Sequence, residues 1–77
     1  MNITVKYFGV LAELTQCMEE TIVFTKSTVI ELLEVVYQKH PTLNGKNFKV
    51  ALNNELVDMG TIVSEVEVAL LPPFSGG

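Results

Sequence analysis

Apolar and polar residues alternate over Ile3 to Phe8, with Ile3, Val5 and Tyr7 on one side and Thr4, Lys6 and Phe8 on the other. A period of two predicts a strand with one buried face. Gly9 interrupts it, and Val10, Leu11 and Leu14 then have the spacing of a short helix ending near Gln16. Alternation resumes over Thr21 to Thr25, after Glu20, with Ile22 and Phe24 pointing together; this second strand can pair with the first. Thr28 and Glu31 form a Thr-x-x-Glu capping box, in which the hydroxyl accepts from an orphan helix amide and the carboxylate from the cap amide. Val29, Leu32, Leu33, Val36 and Tyr37 follow at helical spacing, while Glu31, Glu34, Gln38 and Lys39 lie opposite, which predicts an amphipathic helix on a sheet. Pro41 disfavours helical backbone at His40, so the helix is expected to end near Lys39 and pass into the turn Thr42 to Gly45.

Strand signals return at Phe48 to Leu52. Asn53-Asn54 tolerates left-handed backbone, which predicts a hairpin into Leu56-Val57. After a connection holding Ile62-Val63, Glu65 to Leu71 alternates again, with Val66, Val68 and Leu70 on one face. The first and last strands are the most regular apolar segments and suit central neighbours. Five strands and one main helix, with one short extra helix, predict an α+β roll: a mixed five-stranded sheet of β-grasp, ubiquitin-like architecture. A ferredoxin-like arrangement needs two substantial helices, and Val10 to Gln16 spans barely two turns.

Composition narrows the function. At 77 residues with 48% hydrophobic positions, the chain is expected to form one domain over residues 1–71, with an extended tail over 72–77. Such a domain buries only about 60% of its unfolded surface, so a partner can contribute stability. Nine acidic against five basic residues give a net charge of −4, which argues against nucleic-acid binding. No stretch approaches the roughly 20 apolar residues of a membrane span, and no secretory signal is read. The single cysteine, Cys17, excludes an internal disulfide and favours a reducing, cytoplasmic setting.

Catalytic constellations are scarce. One His and one Cys do not make the usual Cys/His metal clusters, no carboxylates have ligand spacing, and no phosphate-binding loop or nucleophile elbow occurs, so no metal site is expected. Cys17 lacks cationic neighbours in sequence and reads as an ordinary half-buried thiol. His40 reads as a helix C-terminal residue whose imidazolium complements the dipole. The acidic residues read as a solvated face.

What remains is Leu71-Pro72-Pro73-Phe74-Ser75-Gly76-Gly77. Two prolines cannot donate ladder hydrogen bonds, and at about 3.1 Å per residue the six residues after Leu71 reach roughly 18 Å. The glycine pair lets a carboxylate at Gly77 enter a channel too narrow for a β-carbon.

A β-grasp order ending in Pro-Pro-x-x-Gly-Gly resembles the small sulfur-carrying subunit of molybdopterin synthase, within the superfamily of the thiamine-pathway sulfur carrier and ubiquitin-like modifiers. The resemblance rests on Val5 to Leu14, Thr28 to Leu32, Val50 to Asn53 and, most specifically, Val68 to Gly77. An Asp-Gly-Asp-Glu turn common in such subunits is replaced by Ser64-Glu65-Val66-Glu67. The resemblance implies a non-catalytic carrier in a cytoplasmic heterotetramer, with acid-base groups on the large synthase subunit. It implies no bound cofactor: ATP is consumed by a ubiquitin-activating-enzyme-like adenylyltransferase, which activates Gly77 for conversion to a thiocarboxylate. That thiocarboxylate would donate sulfur to cyclic pyranopterin monophosphate. Gly76 would give clearance, Pro72, Pro73, Phe74 and Ser75 would aim the tail, and Phe8, Leu71 and Phe74 would dock the partner. A Gly-Gly end does not encode its acceptor, so thiamine thiazole, tRNA thiolation and conjugation to a lysine amine stay open.

Overall fold

The computed structural model describes residues 1–64 and 66–73. Glu65 and Phe74, Ser75, Gly76 and Gly77, and with them the expectations for the end of the tail, lie outside the described residues.

The elements run β1 (Asn2–Tyr7), α1 (Val10–Thr15), β2 (Glu19–Val23), α2 (Val29–Lys39), a 3-10 turn (Pro41–Leu43), β3 (Lys49–Leu52), β4 (Glu55–Val57) and β5 (Glu67–Leu71). The strands form one mixed sheet in the order β2-β1-β5-β3-β4. β1 and β5 are parallel neighbours at its centre, and the other pairings are antiparallel. This is the β-grasp, ubiquitin-like fold.

Strand alternation supplies the core. Ile3, Val5 and Tyr7 of β1, Val68 and Leu70 of β5, and Val50 and Leu52 of β3 are buried on the helix-facing side. Val29, Leu32, Leu33 and Val36 of α2 meet them, each fully buried aliphatic contributing about 1.5–3 kcal/mol relative to exposure. Both halves of the capping box form: Thr28 Oγ1 accepts from the Glu31 amide at 3.4 Å, and Glu31 Oε1 accepts from the Thr28 amide at 3.0 Å. Asn53 and Asn54 take φ of 52° and 65°, the left-handed pair of a two-residue hairpin loop.

Several boundaries differ from the periodic reading. β2 begins at Glu19 rather than Thr21 and ends at Val23, because its pairing with β1 extends to Lys6↔Glu19. Phe24 is nonetheless buried just past the strand. Val10 is exposed; Leu11 and Thr15 are the buried residues of α1. Val66 is also exposed, since β5 starts only at Glu67. Its carbonyl still accepts the Thr4 amide at 2.8 Å, so position 66 contributes backbone rather than side chain to the sheet.

Candidate functional site

The outer sheet face, opposite α2, carries the first candidate site. Registers Ala51↔Ala69, Ala51↔Leu56 and Lys49↔Leu71 put these residues on one side. Alanines at 51 and 69 lower the centre of that face. Phe8, Leu56, Leu71 and Pro72 border it, and Lys49 and Asn54 add polar rim, giving a groove of about 370 Å³. Phe8 and Leu56 are 45% and 59% exposed, an uncommon exposure for large apolar side chains lying together in one depression. Thus Phe8, Leu71 and Pro72 of the expected docking set share one groove. Pro73 is exposed and does not line it. Leu56 was missed as a site residue because in sequence it reads only as a hairpin strand; the signal lay in its register opposite Ala51.

Chain geometry fixes how the tail leaves the sheet. β5 runs into Pro72 beside the end of β1, where the Phe8 amide donates to the Leu70 carbonyl at 3.1 Å. Gly9 takes φ 58° and ψ −132°, and a β-carbon there would sit 3.0 Å from Pro72 Cγ. Gly9 therefore permits both the turn into α1 and the close passage of the first tail proline. In sequence this glycine reads as a break in the strand pattern and as part of the Val5 to Leu14 motif, and neither signals the contact with Pro72.

A second constellation lies on the helix-facing side at the same end of the sheet. The register Val5↔Glu20 turns Glu20 inward from the edge strand β2, where its side chain is 18% exposed. Tyr7 Oη donates to Glu20 Oε2 at 2.5 Å, and His40 Nε2 lies 2.5 Å from the same oxygen. Lys39 Nζ stands 3.4 Å from Oε1. The Tyr7 and His40 rings meet edge to face at 5.6 Å. Burial tends to raise the Glu20 carboxyl, but the Tyr7 and His40 hydrogen bonds and the positive charges nearby outweigh it and hold it below the usual carboxylate range. Burial, then the bond to Glu20 and the charges of Glu20 and Cys17, push the Tyr7 hydroxyl well above the ordinary tyrosine range.

His40 caps α2 as expected, its amide donating to the Val36 carbonyl, but its ring is also tied to Glu20. Cys17 is half-buried, as expected, yet its Sγ and the ligand atoms of Glu20 and His40 all lie within 4.8 Å of one another. Glu20 is therefore not part of a solvated acidic face. Counting residue types along the chain could not anticipate this meeting, because positions 17, 20 and 40 are joined by the fold.

The ThiS family model matches residues 5–77. The chain belongs to the ThiS family. Its sequence is 26% identical to SAMP1 from Haloferax volcanii, with all of both chains covered and a TM-score of 0.84. It is 27% identical to a chain of the complex of subunits 1 and 2 of molybdopterin-converting factor from Helicobacter pylori 26695, again over all of both chains, with a TM-score of 0.67. A putative molybdopterin converting factor subunit 1 from Pyrococcus furiosus shares the fold at a TM-score of 0.87 and 21% identity, over 96% of this chain and 99% of that one. This ThiS-family protein thus falls among the β-grasp sulfur carriers and ubiquitin-like modifiers. Among its described residues no helix is long and apolar enough to cross a membrane.

Proposed function

We propose that this protein is the sulfur-carrying subunit of molybdopterin synthase, with Gly77 as the covalent carrier. The observation that carries the reading is the family match running through residue 77, on a chain whose central strand β5 leads directly into Pro72-Pro73 and a Gly-Gly end. A carboxylate is a poor electrophile. The Gly77 carboxylate attacks the α-phosphorus of ATP on an adenylating partner, pyrophosphate leaves, and a sulfur nucleophile then displaces AMP from the acyl-adenylate to leave a thiocarboxylate. On the large subunit, that sulfur attacks a carbon of cyclic pyranopterin monophosphate in place of an oxygen substituent, water hydrolyses the thioester so formed and Gly77 returns to a carboxylate, so the two dithiolene sulfurs require two loading cycles. In this scheme Phe8, Leu56, Leu71 and Pro72 form the apolar centre of the docking surface and Lys49 its polar rim, the arrangement of a protein interface. The similarity to a chain of the subunit 1 and 2 complex supports a large-subunit partner.

A second reading, conjugation of Gly77 to a lysine amine, is favoured by the full-length likeness to SAMP1. Intact mass spectrometry separates the two. The protein is incubated with ATP, the adenylating enzyme and a sulfur donor, and then with the pterin precursor and large subunit. Exchange of one oxygen for sulfur, reversed by the precursor, supports the carrier reading; isopeptide-linked adducts without that exchange overturn it in favour of the modifier. Gly77→Ala is expected to keep the thermal midpoint while lowering thiocarboxylate yield or transfer by about 100-fold, because a β-carbon displaces the reacting atom in a narrow channel. Unchanged transfer in that variant overturns the channel argument.

A further inference from the structure

We propose that Cys17, Glu20 and His40 form a three-ligand site for a divalent transition cation of zinc type. The three groups come from separate parts of the fold: the connection before β2, the inward face of β2, and the C-terminal cap of α2. A thiolate, a carboxylate and an imidazole are the donor types that zinc takes, and three protein ligands leave a fourth position for water. Ligand atoms around tetrahedral zinc stand about 3.3–3.8 Å apart, from bond lengths of about 2.0–2.3 Å. The three ligand atoms all lie within 4.8 Å of one another, and the 2.5 Å contact of His40 Nε2 with Glu20 Oε2 would have to open to the tetrahedral spacing around an ion.

The surroundings match what ligands need outside the first ring of contacts. Tyr7 Oη donates to Glu20 Oε2 and fixes the carboxylate. All three ligand residues are half-buried, so they are partly shielded yet open to entry from solvent. Binding replaces the His40–Glu20 hydrogen bond with two metal bonds; the Nε2 proton leaves through solvent as the His40 ring keeps its proton on Nδ1 alone, and the thiol proton of Cys17 also goes to solvent. The cation then ties the connection before β2, β2 itself and the end of α2 together at the end of the sheet where β5 gives way to Pro72. A single-core domain of this size gains more from such a tie than a larger one does.

The test uses the full reduced chain with zinc, and cobalt(II) as an optical probe. Expected are one metal per chain, a thiolate-to-cobalt charge-transfer band, and a rise of about 10–20 °C in Tm at zinc 100 times its Kd. Cys17 is the chain's sole cysteine, so that band reports this position alone. Cys17→Ser, a near-isosteric change at a half-buried position, is the deciding variant; it is expected to lose the band and to weaken metal binding by more than about 100-fold, as is His40→Gln. Glu19→Gln, one residue away on the opposite sheet face, is expected to bind as the parent does. Absence of the band in the parent chain, equal binding by Cys17→Ser, or one metal shared between two chains overturns the proposal.

Discussion

The two faces of the sheet obey the same alternation and end in opposite states. On one, Val5, Leu70 and Val50 are sealed under α2; on the other, Lys6, Ala69 and Ala51 alternate with them in the same strands, and among the described residues no helix covers them. The inward face is filled with branched side chains. The outward face has alanines where the sheet is most central and large apolar groups only around them, which leaves a depression instead of a core. An antiparallel or mixed sheet can leave one face solvated, so burial holds the fold while the second face is free to receive a partner.

Substitutions can break this contrast. Leu70→Ala removes a fully buried side chain and is expected to cost about 2–5 kcal/mol in urea unfolding, a large share of a small domain's stability. Leu56→Ala, on the outer face, is expected to stay within about 0.5 kcal/mol of the parent while reducing large-subunit affinity about tenfold or more, measured by calorimetry. Equal stability losses at the two positions would erase the distinction between the faces. Gly9→Ala tests their junction: positive φ and the approach to Pro72 predict about 1–3 kcal/mol of destabilisation, with slower tail loading as the proline is displaced. A smaller effect is expected from Glu20→Gln, which neutralises the charge on the inward face of β2. Because the folded Glu20 carboxyl titrates below its ordinary value of 4.5, its contribution is complete above that value and is lost as pH falls through the lower folded one. The stability gap between parent and Glu20→Gln should therefore narrow on acidification; a gap independent of pH would remove Glu20 from the account.

Much of this was legible in the residues. Thr28 and Glu31 announced α2, Asn53-Asn54 announced the hairpin, and the regularity of the first and last strands pointed to their central places. Local periodicity failed where long-range register decides. Val10 has helical spacing with Leu11 and Leu14 but faces solvent, and Val66 alternates with Val68 yet precedes the strand. Glu20 looked like a charge at a strand's approach, and only pairing with Val5 turns it inward. The groove shows the same division: Phe8 and Leu71 stood out as apolar residues in the wrong phase, whereas Leu56 and the alanine floor emerge only from three adjacent strands. Gly9 and Pro72 are 63 positions apart in sequence, and nothing local tells of their contact.

The placement of β5 also has a mechanical consequence. Its C-terminal end continues into the segment that a partner would grip, and it is held by β1 on one side and β3 on the other. Tension applied there runs along the strand axis, so the ladders on both flanks resist together in shear instead of unzipping one rung at a time. A machine that drags this chain by that end must break the middle of the sheet at the outset, whereas the edge strands β2 and β4 could peel away with far less force.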